Sequence, residues 1–295
     1  MHWDSGFIAV DWGTTNRRGY LLDGGGSLVD EMEDDQGILS VGPDGFPAAV
    51  DQLRRRLGER PMLMAGMIGS NRGWREARYV SAPAGLADLA SHLVWPEPGF
   101  VAIVPGVALD SGERADVMRG EETQVLGAVA AGLIARDGIV CHPGTHNKWV
   151  SLTGGAITHF RTVMTGELFN LLREHSILAD LLTQPASAGP AFEAGVRHGL
   201  ESDDLTAELF SVRARVLLGK AARGDASSYL SGLLIGTDVR TGLSGQASGE
   251  ICVMGRPELT ELFCAALAIA GRETRVIDGE TAFLAGARAI VETMQ

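Results

Sequence analysis

Short apolar runs separated by glycine turns give way along this chain to longer stretches with helical spacing. Residues 7–11, 18–22 and 27–32 are three consecutive runs of strand length, with Gly24, Gly25 and Gly26 at the second turn. Phe46, Val50, Leu53 and Leu57 then recur at intervals of three and four, which predicts a helix. The apolar run 62–65 predicts a short strand. It leads into Gly66-Met-Ile-Gly-Ser-Asn-Arg-Gly-Trp74, a loop of the kind that binds ligands at a strand's carboxyl end. A further strand over 100–104 stops at Pro105, and a helix is predicted over 121–135, with Val125, Val129 and Leu133 on one face. The second half reopens with a strand at Ile139 and a hairpin around Gly154 and Gly155. Helices are predicted over 167–182, 190–199, 203–218 and 226–242. The end alternates strand 251–254, helix 257–270, strand 275–277 and helix 279–293.

One loop occurs twice. Ile8-Ala-Val-Asp-Trp-Gly-Thr-Thr-Asn-Arg17 is matched by Ile139-Val-Cys-His-Pro-Gly-Thr-His-Asn-Lys148 at constant offset, with Gly, Thr and Asn identical and Arg facing Lys. Each copy reads as strand, tight Gly-Thr turn and return strand. Backbone N–H groups in such a turn can converge on phosphate oxygens, and threonine hydroxyls add donors without bulk. Gly13, Thr14, Thr15 and Asn16, with Gly144, Thr145 and His146, are therefore candidate nucleotide contacts; a plain hairpin with locally paired hydroxyls is the alternative. Asp11 ends the first strand, where a carboxylate can hold Mg²⁺. The second copy has His142 there, so one loop bears metal and the other does not.

At 295 residues the chain suggests two domains, with a junction near residue 137 inferred from the repeat. A net charge of −12 argues against nucleic acid and an anionic membrane surface as partners. No apolar run approaches the ~20 residues of a membrane span. Cys141, Cys252 and Cys264 show no paired spacing and read as free thiols, and no basic leader precedes the first strand; a cytoplasmic enzyme is expected. There is no Gly-x-x-x-x-Gly-Lys-Ser/Thr run, which argues against a P-loop kinase.

Arg119-Gly-Glu-Glu-Thr-Gln124 opens the helix before the second loop. Acids there complement the helix dipole, or one of them serves as general base toward an attacking hydroxyl. Glu121 is favoured because it follows the glycine directly; Glu122 stays open.

These features resemble the sugar-kinase branch of the actin/hexokinase/Hsp70 ATPase superfamily. The full set is similar to the 2-dehydro-3-deoxygalactonokinases: Asp-Trp-Gly-Thr-Thr-Asn (11–16), Gly-Met-Ile-Gly-Ser (66–70) with Gly73-Trp74, Arg-Gly-Glu-Glu-Thr-Gln (119–124), Pro-Gly-Thr-His (143–146) with Lys148-Trp149, and Met-Thr-Gly-Glu-Leu-Phe (164–169). The resemblance implies an α/β fold of two related actin-like ATPase (ribonuclease H-like) domains, mixed sheets flanked by helices, with an interdomain cleft. Domains of 1–136 and 137–295 are expected, the last helix being able to pack back on the first. The resemblance also implies ATP and Mg²⁺, and phosphorylation of 2-dehydro-3-deoxy-D-galactonate at its terminal hydroxyl to the 6-phosphate. In it Asp11 takes the metal and Gly255 lies near the adenosine. Two departures stand out: Glu121-Glu122 where the wider pattern offers Asp, and Arg256 where many relatives have a second glycine. A sugar-acid carboxylate suits a guanidinium fork, so Arg72, then Arg161 and Lys148, are substrate candidates. Ser70, Asn71, Trp74 and Thr165 complete the substrate set, with Glu167 lining the cleft or capping its helix. The partners implied are a small-molecule sugar acid and, at most, a second copy in a homodimer. Rival readings are the same fold acting on another aldonate or ketose, a non-catalytic actin-like ATP switch, and a kinase-derived regulator.

Overall fold

A computed structural model of the chain describes residues 3–112, 114–245 and 249–294. The chain runs through β1 (Gly6–Trp12), β2 (Arg17–Asp23), β3 (Leu28–Asp34), α1 (Phe46–Leu57) and β4 (Met62–Gly66). Short elements follow: β5 (Val80–Ser81), α2 (Leu86–Ser91), β6 (Val94–Glu97), β7 (Val101–Ile103), β8 (Val107–Asp110) and β9 (Ala115–Met118), then α3 (Glu121–Ala130). Next come β10 (Gly138–His142), β11 (Asn147–Thr153), β12 (Ala156–Val163), α4 (Thr165–His175), α5 (Pro190–Glu201), α6 (Leu205–Leu217) and α7 (Ala226–Leu243). The chain closes with β13 (Ile251–Met254), α8 (Pro257–Ile269), β14 (Thr274–Ile277) and α9 (Gly279–Met294).

Two compact units result. The first comprises Met1–Asp137, Leu152–His159 and Gly279–Gln295; the second comprises Gly138–Ser151 and Phe160–Asp278. They are discontinuous in sequence, where contiguous halves of 1–136 and 137–295 are the expectation above. The final helix groups with the first unit because α9 packs along α3, so closely that a methyl group on Gly286 would lie 2.0 Å from the Thr123 carbonyl oxygen.

The main sheet of the first unit has the order β3-β2-β1-β4-β7-β6. β1, β2 and β3 form an antiparallel meander, and β1, β4 and β7 run parallel. β1 is buried almost throughout because a neighbour flanks it on each side and helix α1 covers one face. The second sheet, β12-β11-β10-β13-β14, repeats this pattern: three successive strands, then parallel crossovers from β10 to β13 and β14. The duplicated loop therefore occupies the same place in both sheets, between the first strand and its return.

Two helices end earlier than their apolar spacing suggests. α3 stops at Ala130 rather than 135, because Gly132 turns left-handed (φ 67°) and the Leu133 N–H reaches back to the Ala128 carbonyl. α4 spans Thr165–His175 rather than 167–182, since the Ser176 hydroxyl bonds the Leu172 carbonyl and accepts from the Leu178 N–H. In the second unit α5 and α7 cross through facing glycines, Gly195 and Gly199 against Gly232 and Gly236, which brings their backbones together and fixes α7 under the second loop.

Candidate functional site

In the first unit, Asp11 is the penultimate residue of β1, opposite Arg18 on β2 and Ala65 on β4. Gly13, Thr14, Thr15 and Asn16 form the connection to β2, closed by the Gly13 N–H bonding the Asn16 carbonyl at 2.9 Å. The loop is held from behind: Ile38, Leu39 and Gly37 donate their N–H groups to the carbonyls of Gly13, Thr14 and Thr15. With its carbonyls so engaged, the turn presents Thr14 and Thr15 at the surface. The Asn16 amide donates to Glu33 at 3.2 Å. The cationic position shared by both loops is buried in both. Arg17 is 2% exposed, bonded to Asp34 and the Ala49 carbonyl and stacked over Trp12. Lys148 is 4% exposed, its Nζ near the His146 carbonyl.

Next to Asp11 the backbone comes unusually close. A Cβ on Gly66 (φ 90°) would lie 2.8 Å from the Trp12 carbonyl oxygen and 3.4 Å from Asp11 Oδ1; one on Gly120 (φ 109°) would lie 3.3 Å from the Gly66 Cα. Asp11, Gly66 and Gly120 thus meet at the carboxyl ends of the parallel strands, packed so closely that glycine is required at both positions. Glu121 and Glu122 follow at once. Glu121 is half-buried and accepts from the Arg119 N–H. Glu122 is fully buried, its carboxyl taking the Gly120 N–H at 2.7 and 3.0 Å. Burial, then the neighbouring Glu121 charge, push its carboxyl up to about 8. The structure thus distinguishes the two acids: Glu122 is a buried internal cap held toward its protonated form, and Glu121 is the half-buried one.

The loop after β4 begins as a 3-10 turn, Met67–Gly69. Ser70 is buried, and its hydroxyl accepts from the Arg72 N–H at 3.2 Å, which shapes the turn. Asn71 and Arg72 project into solvent. Trp74 packs against the core of the first unit, as a wall beneath the loop. Arg119 braces the loop from below, bonding the Ala77 carbonyl at 2.8 Å and stacking on Tyr79.

In the second unit, α4 is laid directly on the second loop. A methyl group on Gly166 would sit 2.7 Å from the Gly144 carbonyl oxygen, and the Glu167 N–H bonds the Thr145 carbonyl at 3.0 Å. His146 pairs through Nε2 with the Glu167 carboxylate. Gly255 packs on the same loop, since a Cβ there would lie 2.9 Å from the Pro143 carbonyl oxygen. Thr165 is buried, its hydroxyl donated to Asp238. Arg161 lies half-buried in β12, outside the lining of the adjoining cavity. That cavity, about 290 Å³, opens beside Gly144, Thr145 and Gly166 and is walled by apolar side chains including Phe169, Ile235 and Phe263, with Glu258 on its rim. Its size and lining suit a flat heteroaromatic group.

The sequence reading missed Asp238 and Gly166. Asp238 carries a signal, being the one acid of α7, set between the apolar stretch 233–236 and Val239. Gly166 sits inside a motif whose neighbours drew the attention.

Repeated strand order and paired Gly-Thr turns at the starts of two sheets define the actin-like ATPase fold. The chain belongs to the 2-keto-3-deoxy-galactonokinase family, whose model matches residues 11–290. It is 36% identical over 291 residues to the 2-dehydro-3-deoxygalactonokinase of Escherichia coli (strain K12), covering 98% of each chain. A relative from Rhizobium meliloti (strain 1021) is 37% identical over 290 residues, covering 95% of this chain and 94% of that one. A crystal structure of a protein from Sinorhizobium meliloti superposes with a TM-score of 0.90 at 35% identity, covering 96% and 97% of the two chains. The resemblance carried by the motifs is borne out. Among the described residues, no helix is long and apolar enough to cross a membrane.

Proposed function

We propose that this chain is a cytoplasmic kinase that transfers the γ-phosphate of ATP to the 6-hydroxyl of 2-dehydro-3-deoxy-D-galactonate, giving the 6-phosphate and ADP. Family membership supports the reaction and the substrate, and three unpaired thiols suit a reducing compartment. The observation that carries the assignment of chemistry is the meeting of Asp11, Gly66 and Gly120 beside Glu121.

The acceptor side is assigned to the first unit. Arg72 reads the substrate carboxylate with Asn71 beside it, while Ser70 and Trp74 hold the shape of that loop. Glu121 takes the proton from the 6-hydroxyl as its oxygen attacks the γ-phosphorus and ADP departs with the bond electrons. Such a base contributes ~10²–10⁴-fold, the remainder coming from positioning and charge neutralisation. Glu122 is unsuited to this task, being buried and holding its proton up to about pH 8. Its part is to fix the Gly120 N–H and so the direction in which Glu121 leaves the helix.

The 13–16 and 144–146 loops are assigned to the polyphosphate. The cavity walled by Phe169, Ile235 and Phe263 is assigned to the adenosine, with Gly255 at the neighbouring turn. Asp11 fits Mg²⁺: its hard oxygen stands beside Gly66, where no side chain covers it, and Mg²⁺ binds through one or two carboxylates together with substrate phosphates. Bound there, the ion would neutralise charge on the phosphate oxygens.

ADP release, coupled to an indicator reaction and measured over a panel of sugar acids and neutral ketoses, tests the reading. The expected outcome is turnover on 2-dehydro-3-deoxy-D-galactonate far above that on any neutral ketose. Brisk ATP turnover indifferent to every sugar would replace it with an ATP switch.

A further inference from the structure

A single buried carboxylate ties together the two arms that flank the second phosphate loop. Asp238, on α7, is fully buried. It accepts from Asn147 Nδ2 at 3.0 and 3.1 Å, from Trp149 Nε1 at 2.7 Å and from Thr165 Oγ1. Asn147 and Trp149 open β11, the strand that leaves the loop; Thr165 opens α4, whose Gly166 is packed on Gly144 and Thr145. The Asn147 amide is oriented from its other end, where the Cys141 thiol meets Oδ1 at 3.7 Å. The carboxylate also stands on a stiff support. α7 is clamped to α5, and Gly242, one turn on, lies flat beneath the Trp149 ring, with no room for even a methyl group.

All three donors to Asp238 are neutral. Burial pushes its carboxyl up to about 6, so near neutral pH it is mostly an uncompensated charge in the interior. An apolar side chain of similar volume would avoid that penalty, so stability gives little reason for an acid here. Geometry gives one. Only an acceptor with two oxygens can engage an amide, an indole and a hydroxyl from two separate elements at once.

We propose that Asp238 is a positioning residue for the nucleotide phosphates. By fixing the start of β11 and the start of α4, it sets the 143–146 loop in the form that receives the polyphosphate. This rests on the assignment of that loop to ATP.

Steady-state kinetics on the full chain, with ATP and the sugar acid varied separately, test it. Asp238→Leu is expected to raise the KM for ATP about tenfold or more, from the loss of hydrogen bonds to a charged acceptor. The KM for the sugar acid should stay within about twofold, because its loop stands on other elements. Asp238→Asn keeps one acceptor oxygen and should recover part of the loss. If Asp238→Leu does not fold, Trp149→Phe, which removes one donor to the same carboxylate, carries the test, with a rise of about fivefold in the KM for ATP alone. Equal rises in both KM values, or an unmoved KM for ATP, would overturn the proposal. Thr145→Val separates the two levels of the argument. If it too leaves the KM for ATP unmoved, the loop does not hold the nucleotide. If it raises that KM while the Asp238 and Trp149 variants do not, only the positioning role is lost.

Discussion

Gly166 presses its Cα against the second phosphate loop so tightly that a methyl group added to it would lie 2.7 Å from the Gly144 carbonyl oxygen and 2.9 Å from the Thr145 Cα. Both atoms are backbone, so neither can swing aside. Gly166→Ala must therefore push α4 off the loop or distort the loop itself, at about 1–3 kcal/mol of overpacking. The expected outcome is a lower unfolding midpoint together with a KM for ATP raised about tenfold, the KM for the sugar acid being little changed. Thermal unfolding and coupled ADP release measure both. A variant with normal ATP affinity would show that the loop tolerates displacement and does not carry the phosphates.

Glu121 and Glu122 differ in what each can do with a proton, and isosteric amides expose the difference. Glu121→Gln removes the proposed base and should lower kcat by ~10²–10⁴-fold with little change in either KM. Glu122→Gln keeps an oxygen for the Gly120 N–H and introduces no new charge. Its kcat should stay within about fivefold of the parent, since a well-accommodated neutral isostere disturbs little. The reverse ranking would transfer the base role to Glu122.

The same buried acid imposes a pH dependence on stability. Its folded-state pKa of about 8 lies above the ordinary glutamate value of 4.5, so between those limits the folded chain holds a proton that the unfolded chain has released. Its stabilising contribution is complete below about pH 4.5, declines as pH rises, and is gone once pH has passed through 8. The slope is at most about 1.4 kcal/mol per pH unit. Asp238, raised from 3.8 to about 6, acts in the same direction over a lower window. Glu122→Gln has no such proton to hold, and Asp238 cancels in the comparison. Urea midpoints from pH 5 to 9 should therefore show the parent losing stability relative to Glu122→Gln as pH rises, with the gap constant above about pH 9. Parallel curves would mean that Glu122 is already ionised in the folded chain.

Much of this arrangement is legible from the chain alone. The paired Gly-Thr turns mark the starts of two sheets because local backbone chemistry dictates them, and the parallel strands behind them are plain apolar runs. Strands of two to four residues, such as β5, β8 and β9, carry too few side chains to show a period. The ends of α3 and α4 are set by Gly132 and Ser176, which override the apolar spacing. The inward turn of Glu122 was readable in principle: Val125, Leu126 and Val129 fall three, four and seven residues on, the same helix face. Asp238 was not readable in the same way, because its partners lie 91, 89 and 73 residues away in sequence and only the folded second unit gathers them.

Arg72 gives a test of substrate recognition free of folding effects. It is exposed, and its backbone rather than its side chain ties into the loop through Ser70. Arg72→Ala should leave the unfolding midpoint unchanged while raising the KM for the sugar acid about tenfold or more, the loss of a charge-assisted contact to a carboxylate. Arg72→Lys should restore only part, because an ammonium cannot make the two-point contact. If both variants bind the sugar acid normally, the carboxylate is read elsewhere, and Arg161 becomes the next residue to replace.

Asp11 is where the metal enters the account, and its removal can be read without relying on turnover alone. Its carboxylate lies beside Gly66, at the end of β1 just ahead of the Gly-Thr turn. Asp11→Asn keeps the shape but loses the charge that favours a hard divalent cation. ATP binding by calorimetry should tighten in the parent when Mg²⁺ is added and weaken again when it is chelated. In Asp11→Asn the effect of Mg²⁺ should shrink about tenfold or more, while metal-free ATP binds as well as in the parent or slightly better, one repelling charge having gone. Turnover should fall in step with the lost Mg²⁺ dependence. If the variant responds to Mg²⁺ as the parent does, the ion is held by other groups and Asp11 serves only to end β1. If metal-free ATP is the species that loses affinity, Asp11 is instead bracing the 13–16 loop against the nucleotide.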